Sequence, residues 1–351
     1  MSITMLQDLY DRVFDSKYLQ QLDSTFPPPV SISLKPSLVK GIPDGILALV
    51  APIVAYWTYS IFFHIIDVYE LAEYYRIHTP EEILKRNKST QSEVIRDVII
   101  QHIIQSIAGI IVYSFDPLPT TGFEINAMWQ IKKRIPFPIP NELIFILYTV
   151  VIPFLRIFIA FIIIDTWQFF LHRLMHLNKY LYKRFHSRHH RLYTPYAFGA
   201  LYNDPVEGFL LDTAGSGLAA IITNLSPREQ IILYTFSTLK TVDDHCGYAF
   251  PWDLFQIIFP NNSIYHDIHH QHFGIKNNFS QPFFTFWDKW FKTEYHGIDE
   301  YKKNARKMNI EKYHLFLENR HKKRLQQQQN NKENSEYSEN DDENPSTKKK
   351  E

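Results

Sequence analysis

Three short histidine clusters constrain this chain more than anything else in it. They read His172-Arg-Leu-Met-His176, His186-Ser-Arg-His189-His190 and His266-Asp-Ile-His269-His270, with His245 alone between the last two in Asp243-Asp244-His245-Cys246-Gly247-Tyr248. The chain has 16 histidines in 351 residues, and 10 of them fall between positions 172 and 272. Residues three and four apart share a helix face, so each cluster can aim two or three imidazoles at a common point. Burying so many titratable rings without compensation is costly, whereas neutral imidazole is a usual ligand of zinc, iron and copper. One such ion is complete with roughly four to six ligands, so nine aimed rings favour two ions. His64, His78, His102, His272, His296, His314 and His321 lie outside this pattern and read as ordinary core or surface residues.

Composition narrows the compartment and the partners. Lys+Arg and Asp+Glu balance at 37 each, which gives no global charge for binding nucleic acid. Cys246 is the only cysteine, so there is no disulfide framework and no thiolate site, and metal must be held by nitrogen and oxygen. The N-terminus carries Asp8, Asp11 and Asp15 rather than a basic-then-apolar start, and does not read as a cleaved signal peptide. The last residues, Lys348-Lys349-Lys350-Glu351, resemble the dilysine retrieval signal of endoplasmic-reticulum membrane proteins, which requires a cytosolic tail.

Gly45 to Ile66 is an apolar run of 22 residues without a charge. As a helix it spans about 33 Å, enough to cross a bilayer core. Val98 to Phe115 is a second run, in which Gln101, His102 and Gln105 recur on one face and predict a segment packed on protein there. Leu143 to Ile164 is the strongest, broken only by Pro153 and Arg156, and it runs directly into Asp165 and His172. Asp165, Phe169, His172 and His176 share a face, which places the first pair where this helix leaves the membrane. Val206 to Thr223, interrupted by Glu207 and Asp212, and a helix over Gln230 to Lys240 read as a hairpin or a re-entrant pair, the hairpin preferred. Thr79-Pro80-Glu81-Glu82 and Ser226-Pro227-Arg228-Glu229 carry helix-start signals. The expected divisions are a lead-in over 1–43, a membrane domain over 44–295, a soluble helical extension over 296–326 and a disordered tail over 327–351. Basic residues flank both ends of the third run, with the heavier cluster (Lys179, Lys183, Arg184, Arg188, Arg191) on the histidine side, favouring a cytosolic site.

Spacing alone leaves hydroxylase, desaturase and membrane metallohydrolase open. The HxxxH, HxxHH and HxxHH boxes, with Asp243 to Tyr248 between them and Phe286-Trp287-Asp288 after them, resemble the fatty acid hydroxylase/sterol desaturase superfamily. Within it, Asp44 to Leu49 with Pro52 to Trp57, Tyr75 to His78 with Lys85 to Lys88, Asp165 to Gln168, Asn203 to Gly208 and Thr241 to His245 resemble the sphinganine C4-hydroxylases of fungi. The resemblance covers roughly Asp44 to Tyr295.

It implies an all-α integral membrane protein whose membrane-embedded helices carry a cytosolic-side helical cap with a histidine-rich dimetal site. It implies that His172, His176, His186, His189, His190, His245, His266, His269 and His270 hold two metal ions, taken to be iron when active. It also implies dioxygen activation, hydrogen abstraction at C4 of a sphingoid base or ceramide, and return of a hydroxyl. The two electrons would come from NAD(P)H through a separate cytochrome b5 and its reductase. Many members have His where this chain has Asp204, which reads as an acceptor for a ligand's N–H rather than a ligand. Asp165, Glu207, Asp243, Asp244 and Asp267 are further carboxylates placed to orient imidazole N–H groups. The rivals are another lipid oxidation of the superfamily (sterol desaturation or methyl oxidation, or fatty-acyl 2-hydroxylation) and a non-catalytic membrane protein with structural metals. The strip Phe279 to Phe291 reads as an interface anchor in preference to a lining for lipid access.

Overall fold

A computed structural model describes residues 15–342; the tail lysines and Asp8 and Asp11 lie outside the described residues. Seven principal helices organise the fold. They are α1 (Asp44–Val68), α2 (Gln91–Tyr113), α3 (Asn141–Leu177), α4 (205–222), α5 (Pro227–Asp244), α6 (Ser263–His270) and α7 (Ile298–Asp342). The described β-structure in strands is one two-residue pair, Ser33 opposite Thr121 and Leu34 opposite Thr120. The chain is therefore all-α among the described residues, as the resemblance implies.

α1, α2 and α3 are each long and apolar enough to cross a membrane. Their outward faces are apolar: Val54, Phe62, Ile103, Ile107, Phe154 and Ile159 are all exposed. In α3 only 6 % of the most apolar window is buried, so hydrocarbon rather than protein must cover it. α2 differs, because Val94, Asp97, Val98, Gln101 and His102 are buried along one side, where its sequence carries the polar stripe. α3 is one rod of 37 residues interrupted by a π turn at Leu147–Val151, just before Pro153, and it delivers His172 and His176 at its far end.

α4 and α5 are joined by a short turn but do not form a simple hairpin. α4 packs on α3, whereas α5 lies along α1 and also touches α3 and α6. The Ser226–Glu229 capping box starts α5, and Arg228 Nε ties it to Asp44 Oδ2 of α1 at 2.7 Å. Two apolar clusters follow from this layout. One joins Tyr56, Phe63, Val94, Tyr202, Val242 and Tyr248, and the other joins Ala160, Ile164, Ala219, Leu233, Phe259 and Phe283. Leu19 and Leu22 of the lead-in pack separately on Ile125, Met128 and Ile144.

Polar residues gather inside, at the end of α5. Lys240 and Asp244 are 0 % and 3 % exposed and paired one helical turn apart, and Lys240 Nζ also donates to Asn261 O at 3.0 Å. α7 continues past Gln326, where composition predicts disorder, to Asp342. The physical reason is that Gln, Lys and Glu are good helix formers, and no Pro or Gly interrupts the run. Asn261 and Asn278, both in glycosylation-type triplets, have fully buried side chains, which closes them to modification in the folded chain.

The buried pair sets a stability expectation. Lys240→Met strands the Asp244 carboxylate and should cost about 3–5 kcal/mol, and the double change Lys240→Met/Asp244→Leu should recover most of it. Thermal unfolding of the detergent-solubilised protein measures both, and a double variant no better than the single one would contradict the pairing.

Candidate metal centre

Each histidine box sits on a local structure that fixes where its rings point. His172 and His176 are one turn apart on α3, and His186, His189 and His190 lie on a tight 3-10 segment. His266, His269 and His270 lie on α6, whose start Asn262 caps by accepting from Tyr265 N. His245 closes α5. Eight of these nine histidines are buried, His176 being half-buried.

The nine rings form two groups. His172, His176, His186, His190 and His269 converge in one, and His189, His245, His266 and His270 in the other, with nitrogens within 4.8 Å of one another in each. The boxes do not each feed a single point. His186 and His190 join the first group while His189 joins the second, and His266 and His270 join the second while His269 joins the first. On a helix, successive residues are about 100° apart around the axis, so the third and fourth positions diverge and serve different centres.

Backbone carbonyls set the tautomers. Nδ1 of His172 donates to Phe279 O (2.8 Å), His269 to Asn277 O (2.7 Å), His189 to Tyr202 O (3.2 Å), His245 to Thr241 O (2.8 Å) and His270 to Leu192 O (2.7 Å). A carbonyl only accepts, so in each neutral ring the proton is on Nδ1 and Nε2 is a bare lone pair. Yet the Nε2 atoms face one another: His172 and His186 at 3.1 Å, His176 and His186 at 2.7 Å, His245 and His266 at 3.0 Å, His266 and His270 at 3.0 Å. One proton cannot serve all these contacts: His266, whose Nδ1 no carbonyl holds, can offer an Nε2 proton to His245 or to His270 but not to both, and Nε2 of His269 is buried with no hydrogen-bond partner among the described residues. Nitrogen donors packed this way fit a metal ion in each group, five donors to one and four to the other.

Burial keeps the rings in the ligand form. It holds His186, His190, His266 and His270 well below the ordinary imidazole value, with neighbouring imidazoles adding to the effect. Burial likewise lowers His189 to about 4, and His245 and His269 to about 3. At neutral pH these rings are unprotonated.

Of the six carboxylates considered from sequence, only Glu207 touches a site imidazole, accepting at Nδ1 of His186. The other five are corrected by the geometry. Asp165 accepts from the backbone N–H of Phe283 (3.1 Å) and Phe284 (2.6 Å), pinning the loop after α6 to α3. Asp204 caps α4 through Val206 N and pairs with Arg184, and Asp244 pairs with Lys240. Asp243 meets Gln256 Nε2 at 3.5 Å and hydrogen-bonds with Tyr59 and Asp253 rather than with an imidazole. Asp267 accepts from Tyr301 (2.5 Å) and faces His78 Nε2 (2.8 Å), bracing the back of α6. Proximity in sequence picked them, but carbonyls do the orienting, and a carbonyl leaves no signal in residue type.

Asp288 was missed. It is fully buried and accepts from Phe279 N (3.0 Å), Ser280 N (2.7 Å), Tyr265 OH (2.8 Å) and Thr293 Oγ1 (2.6 Å), so it shapes the segment whose carbonyls hold His172 and His269. Its position in Phe286-Trp287-Asp288 was the available signal. Gly274 allows the same loop to close, since a Cβ there would lie 1.9 Å from Ile268 O. His78 is structural, but not bland. Burial opposes its charge, while Asp267 and Glu82 (3.0 Å from Nδ1) outweigh burial and hold its pKa up at about 9. In the strip from Phe279 to Phe291, Phe279 and Phe283 are core residues, and only Phe286, Trp290 and Phe291 are exposed as an anchor would be.

A pocket of about 30 Å³ lies between the groups, lined by His186 of one and His189, His245 and His266 of the other. It has room for about two water-sized molecules. It meets a second cavity of about 430 Å³, mostly apolar, between α1, α2, α4 and α5. Gln168, Asp212, Thr241 and Pro282 line both.

Residues 157–293 match the family model described as fatty acid hydroxylase. The chain is 58 % identical to the sphingolipid C4-hydroxylase SUR2 of Saccharomyces cerevisiae over 84 % of each chain. It is 46 % identical to the sphingolipid C4-hydroxylase of Schizosaccharomyces pombe, covering 69 % of this chain and 85 % of that one. With sphinganine C4-monooxygenase 1 of Arabidopsis thaliana it shares 44 % identity over 70 % of this chain and 86 % of the other. No solved structure matches it.

Two measurements probe this centre. Elemental analysis of purified protein should give two metal ions per chain, falling towards one in His189→Ala; an unchanged stoichiometry would remove His189 from the site. For His78, a folded pKa of about 9 against an ordinary 6.5 means that its contribution is fully present below about 6.5 and lost as pH rises through about 9. The thermal midpoint should fall from pH 7 to pH 10 in wild type and fall less in His78→Gln.

Proposed function

The chain belongs to the fatty acid hydroxylase family, and we propose that within it the protein is a sphingolipid C4-hydroxylase, a membrane monooxygenase acting on a long-chain base or its ceramide. The observation that carries this reading is the junction of the histidine pocket with an apolar cavity between the spanning helices. A centre serving a water-soluble substrate has no need of such a cavity, whereas a saturated lipid chain needs one.

The nine imidazoles are the metal ligands in this reading, and iron is the metal suited to oxidation with dioxygen, which redox-inert zinc cannot perform. When bound, the metal pair supplies oxygen activation. The chain's own residues do the rest. Carbonyls of Leu192, Tyr202, Thr241, Asn277 and Phe279 hold the Nε2 lone pairs inward, and Glu207 takes the Nδ1 proton of His186 as a hydrogen bond. Leu211, Ala200 and Pro282 supply the apolar part of the pocket's wall. The apolar cavity holds the alkyl chain so that one carbon lies at the pocket mouth, and that restraint selects the carbon oxidised.

The overall reaction replaces one C–H by C–OH and consumes dioxygen, two electrons and two protons, with the second oxygen atom leaving as water. The electrons come from NAD(P)H by way of cytochrome b5 and its reductase. The protein resides in the endoplasmic-reticulum membrane with its histidine cap and tail in the cytosol, an orientation supported by the basic residues that follow α3.

Long-chain bases from cells lacking the protein, complemented with wild type or with His189→Ala at matched protein level, test this reading by mass spectrometry. Wild type should restore the 4-hydroxylated bases, and His189→Ala should restore less than a hundredth as much. Sterol changes with unaltered sphingoid bases would overturn it.

A further inference from the structure

The junction between the two cavities contains one charged side chain, Asp212. It lies in the π-helical segment Phe209–Ala214 of α4, half-buried, and it lines the pocket on one side and the apolar cavity on the other. Its neighbours satisfy it poorly. Gln168 Nε2 lies 3.4 Å from Oδ1 and Asn203 Nδ2 lies 3.4 Å from Oδ2, both long contacts. A carboxylate can accept about four hydrogen bonds. No cation pairs with Asp212 among the described residues; Lys240 pairs with Asp244, Arg188 with Asp97 and Arg184 with Asp204. Burial pushes its pKa up to about 7. An under-coordinated carboxylate between an oily cavity and a metal-type pocket is costly for folding alone, and it lacks a positive or hydrogen-donating partner.

The proposed reaction states what that partner is. In a long-chain base the carbon to be hydroxylated adjoins the one bearing the 3-hydroxyl, and the 2-amino carbon comes next. With the target carbon at the pocket mouth and the alkyl chain in the apolar cavity, these two polar groups must lie at the junction. We infer that Asp212, flanked by Gln168 and Asn203, is the specificity residue that receives the amino and hydroxyl head of the lipid. This rests on the C4-hydroxylase reading. The free base brings an ammonium, which completes an ion pair in a low-dielectric setting, whereas an N-acylated base offers only an amide N–H. Asp212 therefore fixes which carbon reaches the pocket and favours the free base.

The test uses full-length holoenzyme in membranes with its electron donors. Sphinganine is compared with an analogue that carries hydrogen in place of the 2-amino group, on wild type, Asp212→Asn and Asp212→Glu, with metal content measured in each. Wild type should lose at least tenfold in kcat/KM on the analogue, mostly through KM. Asp212→Asn should erase most of that discrimination, and Asp212→Glu should retain part of it. A wild type indifferent to the amino group would overturn the assignment, even if the variants fail to hold metal. So would an Asp212→Asn variant that discriminates as strongly as wild type. A wild type that converts neither sphinganine nor its N-acyl derivative to a 4-hydroxylated product would instead sink the hydroxylase reading itself.

Discussion

The crowding of nine imidazoles whose nitrogens face one another is the constraint on which the rest of this structure depends. Six of the rings have their outer nitrogen occupied, five by carbonyls and one by Glu207, so the inner nitrogens have only each other to face. Such an arrangement is a poor apolar core and a good cation site. It also explains why the cap is built from short turns. The carbonyls of residues 192, 202, 277 and 279 come from the loops after His190 and after α6, where no helix uses them internally, and Thr241 O serves from the last turn of α5.

The polar interior and the apolar exterior are two sides of one arrangement. The spanning helices turn their large aliphatic side chains outward, while charged and titratable groups collect where α3, α5 and α6 meet. Buried carboxylates there close loops, as Asp165 and Asp288 do with two backbone N–H groups each, neutralise a buried cation, as Asp244 does, or accept from a site imidazole, as Glu207 does. Asp212 does none of these, and in the reading proposed above its partner is the ligand.

Much of this was legible in the sequence, because hydropathy and histidine spacing depend on side-chain type. The three spans, the two-ion arithmetic, the protein-facing side of α2 and the start of α5 follow from residues such as Gln101, Ser226 and the boxes themselves. What was not legible depends on backbone and register. Nothing in His186-Ser-Arg-His189-His190 says that the middle ring of the three serves a different centre from its neighbours. Nothing marks Phe279 or Asn277 as holding a ring, since they act through their carbonyls. Asp165 and Asp267 were assigned to imidazoles by proximity, while tertiary packing gave them to a loop and to His78. The continuation of α7 was missed because composition reports on core-building, whereas a polar helix needs only propensity.

The continuous course of α3 through its π turn has a mechanical meaning. At 37 residues it is about 55 Å long, and only Leu143 to Ile164, about 33 Å, matches the hydrocarbon of a bilayer, so its last turns stand clear of the membrane and carry two of the site histidines there. For one continuous helix, tilt at one end is displacement at the other, and Asp165, fastened to the Phe283–Phe284 loop, ties the emerging turns to the cap at the point where that lever leaves the membrane.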